Sequence, residues 1–198
     1  MSWLTQRRWL ITTITASVVA SVVFIALSVR WFVRPANINQ PGRADAVVMF
    51  GGAGARFERA VELVESEHLA PTLVLSDPGS SVSGLSPFGW YCDGHLAPAA
   101  PADGEQAERY GETLCLDPQP ATTFGEAKAL GRLAKEHGWQ RVVIVVSTEQ
   151  TTRARAMVRR CFDGQIEVAT VPTTQNRIVR IVYEWAATGY YAVAHRSC

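Results

Sequence analysis

The stretch Ala44–Arg59, ADAVVMFGGAGARFER, decides how this chain is read. Ala46–Phe50 is a short, β-branched apolar run bounded by glycines, which suits a parallel strand covered on both faces. Gly51, Gly52 and Gly54 follow, free to take positive φ or to let a ligand approach the backbone with no Cβ in the way. Arg56 and Arg59 then stand in the opening of a helix. A helix N-terminus carries partial positive charge, so arginine is unfavourable there unless an anion reverses the penalty. The turn therefore reads as an anion cradle between a strand and a helix.

Working outward, the same alternation repeats. Apolar spacing predicts a helix over Arg56–Glu67 and a strand over Thr72–Ser76. Leu114–Leu116 fits a short strand, and Thr123–His137 a helix stopped by Gly138. Arg141–Ser147, RVVIVVS, is the clearest central strand. A helix over Thr151–Phe162, a strand over Ile166–Val171 and a long helix over Arg177–Ala194 complete the series. The last helix carries Ile181, Tyr183, Trp185 and Tyr190. Strands alternating with helices imply an α/β fold, a mostly parallel sheet with right-handed crossovers and flanking helices, Rossmann-like in kind. The run from Asp77 to Thr113 breaks this pattern; it reads as a long loop, either a functional lid or an insertion held by Cys92–Cys115, with Phe88, Trp90 and Tyr91 as its local anchors on the domain or, alternatively, an exposed binding surface.

The amino-terminal end is of another kind. Trp9–Val29 is about 21 residues without a charge, roughly 31 Å as a helix, enough to cross a bilayer core. Trp3, Trp9, Trp31 and Phe32 stand near its ends, as in an aromatic belt. A secretory signal would have a shorter apolar region and a small-residue cleavage site, so residues 1–34 read as a tail and an uncleaved membrane anchor. Residues 35–43, proline-punctuated and polar, read as a linker, and residues 44–198 as one domain with a sizeable core.

Arg7 and Arg8 on one side of the anchor and Arg30 and Arg34 on the other leave orientation undecided by charge. The cysteines favour an oxidising compartment: Cys92, Cys115, Cys161 and Cys198 are an even set, all beyond the anchor. Of three possible pairings, Cys92–Cys115 and Cys161–Cys198 are favoured, the first stapling the long loop and the second pinning the C-terminal residue to a helix end. Four unpaired thiols are the alternative. With 19 basic and 18 acidic side chains, the chain has no electrostatic footprint for nucleic acid.

Three strand-to-helix corners should face one crevice at the carboxyl ends of the strands: Gly51–Arg56, Thr122–Glu126 and Ser147–Arg153. Helix N-termini offer free N–H groups to anions, and Arg56 and Arg153 would add bidentate donors. Thr123-x-x-Glu126 and Ser147-x-x-Gln150 have the form of capping boxes, so each corner also has a purely structural reading. Gly52-x-Gly54 lacks the third glycine of a dinucleotide fingerprint, Phe57 standing in its place, although Asp77 follows the second strand where a ribose-binding acid would be. His68, His95, His137 and His195 are scattered, no metal-ligand spacing emerges, and no cofactor is evident.

The pieces DAVVMFGGAGARFERA, TTFGEAKALGRLAKEHGW, RVVIVVSTEQTTRARAMVRRCF and YEWAATGYY, in this order, give the chain a resemblance to the YdcF/SanA/ElyC-like domain family of bacterial envelope proteins. The likeness covers about Asp45 to Tyr191. It implies a Rossmann-like sheet, a domain outside the cytoplasm in anchored members, and a link to envelope integrity through peptidoglycan or lipid-carrier metabolism. For one branch it implies S-adenosylmethionine binding. The family's glycine turn falls on Gly51 and Gly52, its helix arginine on Arg56, and its Asn-Thr-x-Glu-Asn-Ala-like stretch on Thr122–Ala127, with Glu126 in an asparagine place. Its Thr-Ser-x-x-His-x-x-Arg-Ala stretch falls on Val146–Ala154, where Ser147 and Arg153 match and Gln150 replaces the histidine. That replacement removes the best proton carrier, since glutamine can hydrogen-bond a phosphate or a sugar but cannot shuttle a proton.

These readings converge on a single-pass cell-membrane protein with an extracytoplasmic domain. Its expected ligand is a phosphate-bearing envelope precursor held by Gly51, Gly52, Gly54, Arg56, Thr123, Glu126, Ser147, Gln150 and Arg153. A non-catalytic envelope scaffold and a nucleotide or S-adenosylmethionine binder are the alternatives. If the domain is an enzyme, phosphoryl transfer or phosphate-ester hydrolysis is the expected class.

Overall fold

The computed structural model describes residues 3–36, 38–51, 54–77 and 112–198. Five strands form one sheet: β1 (Ala46–Met49), β2 (Thr72–Ser76), β3 (Thr113–Leu116), β4 (Arg141–Ser147) and β5 (Gln165–Val171). Every pairing is parallel and the order is β3-β2-β1-β4-β5, with Ala46 opposite both Thr72 and Val142. The described helices are α1 (Trp3–Ser28), α2 (Ala55–Glu65), α3 (Thr123–His137), α4 (Thr151–Cys161) and α5 (Arg177–Ala194). The expected bounds of β2, α3, β4 and α5 hold to the residue, the other elements of the domain shift by one or two positions, and α1 begins six residues before the expected Trp9.

The near-continuous apolar strands are explained by cover on both faces. Val47, Met49, Leu73, Leu75, Val143 and Val145 pack under Ala60, Leu63 and Val64 of α2. Ala46, Val48, Val74, Ile144 and Val146 pack under Ala127, Leu130 and Ala134 of α3 and Ala154, Met157 and Val158 of α4. Fully burying each such side chain contributes about 1.5–3 kcal/mol. Helix ends follow local chemistry. The Thr122 hydroxyl accepts from the Gly125 N–H, and Gly138, at φ 69°, ends α3 in the left-handed region.

Thr123–Glu126 is thus not the capping box its spacing suggests: Thr122 is the N-cap, and Thr123 and Glu126 bond elsewhere. Ser147–Gln150 is a capping box, over the short 3₁₀ turn Thr148–Gln150 that leads into α4.

α1 continues through a π-helical turn at Val29–Val33, and Gln6–Val33 is long and apolar enough to cross a membrane. Hydroxyls of Thr12, Thr15, Ser21 and Ser28 each bond a carbonyl one turn back, at 2.8–2.9 Å, so they leave no polar group unpaired. Trp31 and Phe32 do not form a free belt. Phe32 is fully buried, and both rings, with Phe24, pack on Trp185 of α5 at 5.1–5.4 Å. The Trp185 indole N–H donates to the Ser28 hydroxyl at 2.9 Å, and the Thr152 hydroxyl donates to the Trp31 carbonyl at 2.6 Å.

The segment 35–43, expected as a linker, lies along β5. Asn39 donates its N–H to the Val168 carbonyl at 2.9 Å and accepts from the Thr170 N–H at 2.6 Å, while Ile38 packs on the core. Cys161 and Cys198 are joined in a disulfide with Cα atoms 5.0 Å apart, as expected. Cys92, and with it the Cys92–Cys115 pairing, falls outside the described residues, as do Phe88, Trp90, Tyr91 and most of the 77–113 loop.

On α5, Tyr183 and Tyr190 are exposed and the helix's one buried residue is Glu184.

Candidate functional site

In an open α/β sheet the order of these strands reverses direction between β1 and β4, and ligands bind outside the carboxyl ends at that point. Gly51 follows β1 and Ser147 ends β4, so the first and third expected corners face one another there. β3 belongs to the sheet, which brings the Thr122–Glu126 corner to the same edge. Gly54, at φ 73°, is the N-cap of α2 and occupies a backbone region that favours glycine. A Cβ on Gly51 would stand 3.0 Å from Glu126 Oε1. Gly52 lies outside the described residues.

The charges in the crevice form one connected set. Arg56 spans it, donating Nη1 to the carbonyls of Phe50 and Gly51 and Nη2 to the Ser147 hydroxyl at 2.9 Å. These bonds offset its unfavourable place at the start of α2. Arg59 is likewise satisfied by Glu62 and Glu67, both at 2.6 Å, on the surface. Arg153, expected as a clamp on the ligand, is 3 % exposed and held by Glu184 through Nε at 2.8 Å and Nη2 at 3.0 Å; its Nη1 donates to the Thr123 hydroxyl at 2.6 Å. Arg180 reaches the same Glu184 at 2.8 Å and lies over the Tyr183 ring at 4.9 Å. Glu126 accepts from the Gly51 N–H and, at 2.7 Å, from the Ser76 hydroxyl, both on Oε1. The protein's own carboxyl group therefore sits where an anion at the glycine turn would sit.

Burial is the main influence on these groups. It raises the Glu126 pKa, outweighing the Gly51 and Ser76 hydrogen bonds and the nearby Arg56 and Arg153 charges. Burial lowers the Arg56 pKa, with Glu126 opposing and Arg180 and Arg153 adding to the effect. Burial also disfavours the Arg153 cation, but the Glu184 carboxylate more than offsets this and its pKa is raised.

Two adjoining cavities open here. One, of about 280 Å³, is lined by Gly51, Thr122, Thr123, Glu126, Gln150 and Arg153, and by Arg180, Tyr183 and Tyr191 of α5. The other, of about 140 Å³, is lined by Arg56, Ser147, Thr173, Thr174, Gln175 and again Arg180. A larger hollow of about 530 Å³ lies at the amino-terminal end of β5, between Gln40, Arg159 and Gln165, but no set of buried charges converges on it. Among the described residues no group of His, Cys, Asp and Glu is placed to hold a metal ion.

Arg180, Glu184 and Tyr191 were not singled out from the sequence, and Tyr183 was named only as part of the last helix. The available signal was Arg180 and Glu184, one turn apart, in an otherwise apolar helix interior. Glu149, fully buried with Arg177 at 3.4 Å, was also missed. His68 and His137 stand at the ends of α2 and α3, with the His137 ring stacked on Trp139. The chain was compared with family models, curated proteins and solved structures, and none of the three comparisons returned a match.

Proposed function

We propose that this is a single-pass membrane protein whose Rossmann-like domain stands outside the cytoplasm and binds a phosphate-bearing ligand in cell-envelope maintenance, in keeping with its resemblance to the YdcF/SanA/ElyC-like family. The observation that carries the reading is the gathering of three guanidinium groups, Arg56, Arg153 and Arg180, against two carboxyl groups at the strand-order reversal. With burial pushing Glu126 toward its neutral form, positive charge is in excess. Arg180 borders both cavities, with Arg56 on one and Arg153 on the other, so a phosphate between them would meet donors from two sides. Thr122, Thr123 and Gln150 offer hydroxyl and amide partners for a sugar. The disulfide at Cys161–Cys198 supports an oxidising compartment. If the crevice turns over its ligand, the class is phosphoryl transfer by positioning and electrostatics, with Glu126 as the group placed to carry a proton.

A non-catalytic scaffold is the second reading. It is favoured by the Gly51 N–H, which Glu126 takes, and by Arg56, whose Nη1 and Nη2 are tied to backbone carbonyls and to Ser147.

Thermal unfolding of the full chain in detergent micelles separates the two. The probes are pyrophosphate, a lipid-linked sugar phosphate, nucleotides and S-adenosylmethionine. Stabilisation by the phosphate-bearing compounds, lost in Arg56→Ala and Arg180→Ala, is the expected result. No shift with any probe would leave the scaffold reading; a shift with S-adenosylmethionine alone would replace both.

A further inference from the structure

We propose that α5 is an interfacial membrane helix, its outward face set into the lipid beside the exit of α1, so that the crevice opens at the bilayer surface. This rests on the reading of α1 as a membrane span. On a helical projection Ile178, Val179, Val182, Ala186, Gly189, Tyr190 and Val193 fall within one arc of about 120°. All are exposed and none is charged. The opposite side carries Glu184 and Arg180, which build the crevice. The helix is amphipathic the wrong way round for water: polar side inward, apolar side outward. Such a face needs an apolar environment.

What covers it follows from the neighbour. Trp185, midway along α5, stacks on Phe24 and bonds Ser28. Phe24 lies five residues inside the end of the uncharged stretch Trp9–Val29, about 7.5 Å along the axis. A helix touching the span at that depth lies at the hydrocarbon boundary, not in bulk water. Among the described residues, the ring contacts and the hydrogen bond between α5 and the stretch Phe24–Phe32 all run through this one tryptophan, as expected of two helices that cross rather than run side by side. Arg30 and Arg159 gather with Arg155 near the same exit, which suits anionic headgroups. Because Arg180, Glu184, Tyr183 and Tyr191 come from this helix, the ligand class best placed to reach the site is an amphiphile whose phosphate-bearing head stands at the membrane surface.

Nitroxide labels test this on the full chain in lipid vesicles, attached without reductant through Val18→Cys, Glu136→Cys, Val182→Cys and Val193→Cys. Collision with oxygen and with a water-soluble nickel complex reports depth. The expected result is Val18 deep in the bilayer, Glu136 in water, and Val182 and Val193 about 5–10 Å below the headgroup boundary. Val18 deep with Val182 and Val193 water-like would overturn the inference and leave the anchor standing. Val182 shielded from both reagents with spin–spin broadening would overturn it in favour of a second copy of the chain. Val18 itself water-like would remove both the anchor and the inference. Two labelled positions on α5 keep the reading available if one variant does not fold.

Discussion

α3 and α5 are helices of similar length in one domain, turned opposite ways. α3 buries Phe124, Ala127, Leu130 and Ala134 and shows Arg132, Lys135 and Glu136 to solvent. α5 buries Glu184 and shows Ile178, Val179, Val182 and Val193. The first is what a water-facing helix over a sheet must be. The second holds its place through charge and rings. Glu184 joins it to Arg153 of α4, Trp185 joins it to α1, and the Asn176 side chain caps its start by accepting from the N–H groups of Ile178 and Val179. Amphipathicity tells which side of a helix meets protein only when the other side meets water.

If that contrast is right, the most damaging change on α5 is to a charge. Glu184→Ala leaves the buried Arg153 and the half-buried Arg180 without their partner, and should cost about 3–5 kcal/mol in chemical unfolding of the full chain in micelles. A loss below about 1 kcal/mol would mean that α5 is not held by this pair. On α3 the corresponding change is to an apolar residue. Leu130→Ala, fully buried, should cost roughly 2–5 kcal/mol in the same assay, and a near-neutral result would remove α3 from the core.

Glu126 is the one acidic side chain α3 buries, and it makes a pH prediction. Its pKa is raised in the folded protein, so the native state binds more protons than the unfolded chain as pH rises from the unfolded value of about 4.3 through the folded one. Stability should fall with rising pH across that window. Glu126→Gln keeps an oxygen acceptor for the Gly51 and Ser76 bonds and should remove this part of the slope. Identical slopes in the two proteins would contradict it. Val182→Thr, on the outward face of α5, should have the smallest effect, within about 0.5 kcal/mol in micelles. A large loss there would show that the face is packed against protein.

Much of the fold was legible because its signals are local. RVVIVVS and TLVLS are short β-branched runs between turn residues, and Gly138 marks the end of α3 by a conformation that other residues rarely adopt. The site was legible in position but not in wiring. Gly51, Arg56, Glu126, Ser147 and Arg153 do come together, yet Glu126 bonds partners 75 and 50 residues away in sequence, and Arg153 one 31 residues on. Spacing along the chain carries no trace of such pairings, so Thr123-x-x-Glu126 looked like a cap, and Arg153 looked free for a ligand. α5 was bounded correctly, but which side of it meets the sheet was not legible, because its apolar residues lie on more than one side and Glu184 is the residue it buries.

The segment that joins α1 to the sheet has a further effect. β5 is an edge strand, and an edge strand offers unpaired N–H and C=O groups to any extended chain that meets it. Asn39 takes the Val168 carbonyl with its own N–H and the Thr170 N–H with its side chain, and the Gly42 N–H closes on the Glu167 carboxylate. The chain blocks its own edge with the same residues that connect it to α1. A second strand could add to β5 only by displacing them, so the connection also guards this edge against self-association.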